Sequence, residues 1–180
     1  MLFRSTITNF DEYGDATDSE TIGISQKLTA TGLRQTGTYT TDSTFDAYGD
    51  LATQVTTGNN LWYNTAITDY SIVGSYTTTS VITAGEVTET TTIGNSISKR
   101  DLTTVTGTYT TITNFDQYGD ATDSQTIGIS QKLTADGLRQ TGTYTTDSTF
   151  DAYGDLATQV TTGNNLWYNT AITDYSIVGS

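Results

Sequence analysis

A chain of 180 residues with a formal net charge of −13, seven Lys and Arg, and neither His nor Cys narrows the chemistry before any motif is read. Scattered cations cannot displace counterions from phosphates, so nucleic acid and anionic membrane surfaces are excluded as partners. Without His or Cys there is no disulfide framework, no tetrahedral zinc site and no Ser-His or Cys-His catalysis.

Hydrophobic residues make up 34% of the chain, below the roughly 45–50% of an ordinary globular domain. Thr alone is roughly a quarter. Disordered chains are poor in β-branched and aromatic residues, whereas this one is rich in Thr, Ile, Val and Tyr, which favour strands. The composition therefore predicts a folded all-β chain with a thin core and no helices. No apolar run is long enough for a signal peptide or a transmembrane span. The chain is expected to be cytoplasmic, or extracellular with its secretion signal outside this piece.

In chain order, residues 1–5 (MLFRS) come first, as a strand or leader. Five units of 35 residues follow: 6–40, 41–75, 76–110 (diverged), 111–145 and 146–180. Residues 6–75 and 111–180 differ only at Glu12/Gln117, Glu20/Gln125 and Thr31/Asp136. Fixed periods of this size signal a tandem array, here a β-solenoid or a stacked β-meander. A turn group opens each unit: FDEYGD at Phe10, FDAYGD at Phe45 and Phe150, FDQYGD at Phe115. The third unit has VITAGE instead. Gly14 and Gly23, Gly49 and Gly58, and Gly85 and Gly94 are each nine apart, which suggests a turn at either end of a short strand. Between them YTTDSTFDA and LATQVTT alternate with period two, the strand signal. Asp136-Gly137 suits a tight hairpin. Each unit is expected to hold three or four short strands.

Phe10, Phe45, Phe115 and Phe150 are the expected core positions. Gly14, Gly49, Gly58, Gly119, Gly154 and Gly163 are the expected turn positions. Asp11/Asp15, Asp46/Asp50, Asp116/Asp120 and Asp151/Asp155 are weak calcium candidates, because carboxylates around a Gly turn are hard ligands. The alternative is that the first Asp caps its own turn and the second stays solvated. A glycosidase-like pair is disfavoured, since catalysis by several copied sites is implausible. Trp62 and Trp167, each in NNLWYNT, are either packing residues between units or sugar-stacking platforms. The Thr-x-Thr pairs fit an ice-binding array poorly at this period. Lys99 and Arg100, in SKRD, are expected in an exposed loop.

The run FDAYGDLATQVTTG resembles the YD or RHS-type repeat of large bacterial cell-surface and toxin-shell proteins. Phe45, Asp46, Gly49, Leu51 and Gly58 match the pattern, as do Phe150, Asp151, Gly154, Leu156 and Gly163. Phe stands for the usual Tyr, Asp50 for Arg or Asn, and the period is longer. The resemblance implies an extracellular, repeat-built structural element of bacterial origin.

Taken together, the expectation is a non-enzymatic structural protein that belongs to an extracellular filament or surface fibre and assembles head to tail with itself. An adhesin stalk touching glycans or other cells, and a calcium-stiffened surface-layer protein, are the alternatives. The absence of Pro leaves strand edges open to pairing. The last unit carries no divergent cap, so either the chain continues or that end meets another molecule. Met1–Ser5 stands in the phase of 106–110 and is more apolar. It is expected either to insert into a neighbouring copy or to be a frame boundary.

Overall fold

The computed structural model describes residues 2–30, 32–169 and 174–179. Among them are eleven strands: β1 Leu2–Phe10, β2 Ala16–Thr29, β3 Gly32–Phe45, β4 Leu51–Asn64, β5 Asp69–Thr83, β6 Glu86–Ile97, β7 Val105–Phe115, β8 Ala121–Thr134, β9 Gly137–Phe150, β10 Leu156–Asn169 and β11 Asp174–Gly179. They form one open antiparallel sheet in which sequence order is sheet order. The even strands begin at residues 16, 51, 86, 121 and 156, which are 35 apart.

Most of these strands have 14 residues, so a 35-residue stretch holds two long strands rather than three or four short ones. The difference lies in the second glycine of each nine-residue pair. Gly14, Gly49, Gly85, Gly119 and Gly154 have positive φ and sit in turns. Gly58 and Gly163, expected as turns, lie within β4 and β10, as Gly23, Gly94 and Gly128 lie within β2, β6 and β8.

A tyrosine accounts for the mid-strand glycines. Gly23, Gly58, Gly94 and Gly128 stand opposite Tyr39, Tyr76, Tyr109 and Tyr144 of the next strand. Each ring lies flat over its glycine. A methyl added at Gly23 would come within 2.2 Å of the Tyr39 ring, and one at Gly58 within 2.4 Å of Tyr76. Glycine is required here by the ring, not by the backbone angle. The glycines are buried beneath rings that are themselves half-buried.

The next row on this tyrosine face is threonine throughout. Thr6, Thr21, Thr41, Thr56, Thr78, Thr92, Thr111, Thr126, Thr146 and Thr161 run from β1 to β10. Their hydroxyls pair at 2.7–2.9 Å between β1 and β2, β3 and β4, β5 and β6, β7 and β8, and β9 and β10. Such cross-strand pairs contribute about 0.2–1 kcal/mol each.

The described residues form one layer with no buried core. None of the described hydrophobic side chains is buried; Phe10 is 63% exposed. Phe45, Phe115 and Phe150, expected as core, are half-buried on the tyrosine face beside their turns. The chain exposes 11467 Å², against roughly 8,500 Å² for a compact protein of its mass.

The sheet has two unlike halves. β2 pairs with β3 along its whole length, from Asp18–Thr44 to Thr29–Gly32. β3 pairs with β4 only from Phe45–Leu51 to Gly37–Asn60. The same alternation recurs, so the half nearest the Asp-containing turns is continuous from β1 to β10, while the other half separates into two-stranded hairpins. At the boundary the odd strands bulge by one residue: Thr36, Val73, Thr106 and Thr141, each just before a glycine. A methyl at Gly74 would meet the Asn95 carbonyl at 2.6 Å, so these glycines permit close strand approach.

Two measurements check this packing. Gly58→Ala is expected to destabilise the sheet by about 1–3 kcal/mol in urea unfolding. The cost should shrink in a Tyr76→Ala background, where no ring occupies the site; equal costs in both backgrounds would contradict the stacking. Burial, then the neighbouring Tyr109 and Tyr39, raise the Tyr76 hydroxyl above its usual 10.0. A raised acid pKa contributes stability that is complete below the unfolded value and lost as pH climbs through the folded one. Stability should therefore fall above pH 10, and Tyr76→Phe should reduce that loss.

Candidate functional site

Two edges carry the chemistry. At the turn edge, the four FDxYGD groups share one geometry. Asp46 Oδ1 accepts the Tyr48 N–H at 2.8 Å and the Asp50 N–H at 3.0 Å. The Asp46 N–H donates to the Asp50 carbonyl at 2.8 Å, and the Gly49 N–H to the Asp46 carbonyl at 3.1 Å. Asp11, Asp116 and Asp151 repeat the carboxylate pattern. The first Asp is thus the fastener of its turn, with one oxygen engaged by two backbone donors.

The second Asp reaches sideways in three of the four groups. A methyl added at Gly49 would lie 3.7 Å from Asp15, at Gly85 3.3 Å from Asp50, and at Gly154 3.2 Å from Asp120. Neighbouring turns therefore abut through Asp against glycine. Asp155 closes the last turn: its N–H donates to Asp151 Oδ1 at 3.1 Å, its carbonyl accepts the Asp151 N–H at 2.8 Å, and the residue is exposed. One junction is different. Glu86 stands at the Asp position of the third turn, and a methyl at Gly119 would meet nothing within 4 Å. The third hairpin closes through Ala84 and Gly85, with φ of 52° and 81°, without a turn tyrosine. Ile82 pairs with Val87 where Phe45 pairs with Leu51. The result is a groove of about 450 Å³ between the third and fourth turns, with Leu51, Val87, Phe115 and Tyr118 in its wall.

The hairpin edge is aromatic and basic. Arg34 lies 4.1 Å over the Tyr63 ring and Arg139 4.0 Å over Tyr168. Tyr63 meets Tyr70 edge to face at 5.4 Å, and the Tyr70 hydroxyl accepts the Gln35 N–H at 3.0 Å. Beyond Gly37–Asn60 and Gly142–Asn165, where β3 and β4 and then β9 and β10 stop pairing, the Arg34–Tyr63, Gln35–Tyr70 and Arg139–Tyr168 contacts join the adjacent hairpins. Trp62 is half-buried with Lys99 Nζ 5.7 Å from its ring, whereas Trp167 is 56% exposed. Lys99 and Arg100 lie in the exposed Ser98–Thr104 loop. Asp101 ties that loop by accepting from the Thr103 and Thr104 N–H groups and the Thr104 hydroxyl at 2.7–3.0 Å.

The cations gather on this edge, where Asp69, Asp101 and Asp136 also lie, the last 2.9 Å from Arg139. Lys27, Arg34, Lys99, Arg100, Lys132 and Arg139 all belong to the hairpin edge, leaving Arg4 of β1 as the remaining cation. The turn groups carry carboxylates only. Among the described residues, no three Asp or Glu converge closely enough to hold a metal ion. At the calcium candidates Asp11, Asp15, Asp46, Asp50, Asp116, Asp120, Asp151 and Asp155, the two carboxylates of a turn serve different neighbours. Asp11, Asp46, Asp116 and Asp151 point into their own turns, Asp15, Asp50 and Asp120 lie against the next turn, and Asp155 faces solvent.

Sequence reasoning misses the tyrosines over the glycines and the stacked arginines. The recurring GTYTT and GSYTT stretches are the available signal: their glycine follows the bulge and their tyrosine covers the neighbouring strand.

No protein-family model matches the chain, and no curated protein is similar to it. A crystal structure of a protein of unknown function from Bacteroides fragilis NCTC 9343 has 14% identity and a TM-score of 0.33, over 84% of this chain and 96% of that one.

Asp46→Ala removes two charge-assisted hydrogen bonds and should cost about 1–3 kcal/mol in chemical unfolding, with Asp50→Ala costing less. Equal costs would contradict the fastening role. The three hydrogen-bond donors hold the Asp101 carboxyl down from 3.8 to about 2. A depressed pKa contributes stability that is present above the unfolded value and lost as pH falls through the folded one. The Ser98–Thr104 loop should thus keep its amide shifts at pH 4 and change them only as pH falls toward about 2.

Proposed function

We propose that this chain is a structural protein of an extracellular filament or surface fibre, and that it assembles head to tail by strand pairing. One observation carries this reading. Among the described residues, the sheet is a single layer of repeated strands in which sequence order is sheet order. β10 has the same sequence as β4, whose Val55–Asn60 segment pairs with both β3 and β5. Thr6–Phe10 of β1 repeats Thr111–Phe115 of β7, whose Thr111–Asn114 segment pairs with both β6 and β8. The same strand sequences thus pair on both sides of their backbone, which is the property that lets one copy of the layer continue into the next. A heterologous contact of this kind does not close, so it propagates as a fibre. The acidic composition and the resemblance to bacterial surface repeats support an extracellular setting.

A second reading, an adhesin stalk that contacts glycans, is favoured by the 56% exposure of Trp167. Saturable quenching of its fluorescence by oligosaccharide would support it.

The filament reading predicts fibres of the purified 180-residue chain with strands across the axis and a spacing of about 4.7–4.9 Å along it. Removal of residues 1–5, which takes half of β1, should abolish them. Monodisperse monomer from the full chain, or unchanged fibres from the shortened one, would sink the proposal.

A further inference from the structure

The third unit departs from the others twice, at opposite ends of the same strand pair. β6 starts beside the groove at Glu86 and ends at Ile97, where the Ser98–Thr104 loop turns the chain into β7. β7 climbs back to Phe115 and the fourth turn, the groove's other wall. The groove and the loop therefore lie on one line along the strand direction. They are also chemically opposite. The groove pairs the half-buried Phe115 and the 80% exposed Tyr118 ring with the exposed Glu86 carboxylate, on an edge whose turns carry no cation. The loop presents exposed Lys99 and Arg100, while its own acid, Asp101, is engaged within it.

We propose that this groove is a docking site for the Ser98–Thr104 loop of a second copy of the chain, with Arg100 against Tyr118 and Glu86. The chain already uses the same contact internally, where Arg34 lies over Tyr63 and Arg139 over Tyr168. Two copies placed end to end along the strands meet loop to groove without sideways displacement, and the exposed Lys99 and Arg100 of the loop face the exposed Glu86 of the groove. The contact is heterologous and extends along the strands, at right angles to the edge pairing proposed above. It does not depend on that pairing. Together the two contacts would make a layer instead of a single fibre.

The cysteine-free sequence allows a direct test. Full-length Gln117→Cys chains, labelled beside Tyr118, are mixed with Lys99→Cys chains under mild oxidation, and mixed disulfide dimers are quantified by mass spectrometry. The control pairs Gln117→Cys with Ala135→Cys, in a different turn of the hairpin edge. The mixed dimer should exceed the control, fall at least about tenfold when Arg100→Glu is added to the Lys99→Cys chain, and recover when Glu86→Arg is added to the other. It should persist when both chains lack residues 1–5, so failure of edge pairing and failure of this contact are read separately. Yield equal to the control, indifference to Arg100→Glu, or loss on removing residues 1–5 would each overturn the proposal.

Discussion

A single β-layer cannot bury side chains between two surfaces, and everything else in this structure follows from that constraint. Stability has to come from backbone pairing and from neighbours on the same face. The tyrosine rings laid over mid-strand glycines are the strongest such device. A ring that covers a glycine shields two strands' backbone from water and buries its own apolar face without a second layer. The threonine row beside it adds hydroxyl pairs and branched Cβ atoms suited to the pleat. Low hydrophobicity is then a consistent feature of the design. Aliphatic side chains on either face would remain exposed, as Ile22, Ile93 and Ile127 do.

The same constraint separates the two halves of the sheet. Where the tyrosine and threonine rows run, pairing is continuous. Beyond the bulges the rows stop, pairing survives only within hairpins, and the contacts change to arginine on tyrosine. The turn edge is held differently again, by Asp46 and its equivalents within each turn and by Asp15, Asp50 and Asp120 between turns. Three chemistries thus occupy three bands across the strands, and every cation but Arg4 falls in one of them.

Much of this is legible in the sequence. Period-two alternation and the content of Thr, Ile and Val point to an all-β chain, and the 35-residue period matches the spacing of even strands. Asp46 as the fastener of its own turn is one of two readings the sequence allows, and its two backbone donors favour it. Strand count goes astray at Gly58 and Gly163, because a glycine needed beneath a ring looks identical in sequence to one needed for positive φ. Phe45 reads as core because aromatic residues at fixed spacing ordinarily mark one; a single layer offers no such interior. Asp15, Asp50 and Asp120 each meet the glycine of the next turn, and only the order of strands in the sheet brings those turns together. The stacking of Arg34 on Tyr63 joins positions separated by a hairpin, and nothing local in the sequence brings them together.

Native-state hydrogen exchange tests the account most directly. If the ring-covered rows hold the layer together, amide protection should be greatest around Gly58, Gly94 and Gly128 and their tyrosine-bearing neighbours. It should fall across the bulges into hairpins such as Leu61–Ile72. Protection that is uniform along the strands, or greatest in the hairpins, would contradict the claim that the glycine–tyrosine rows carry the fold.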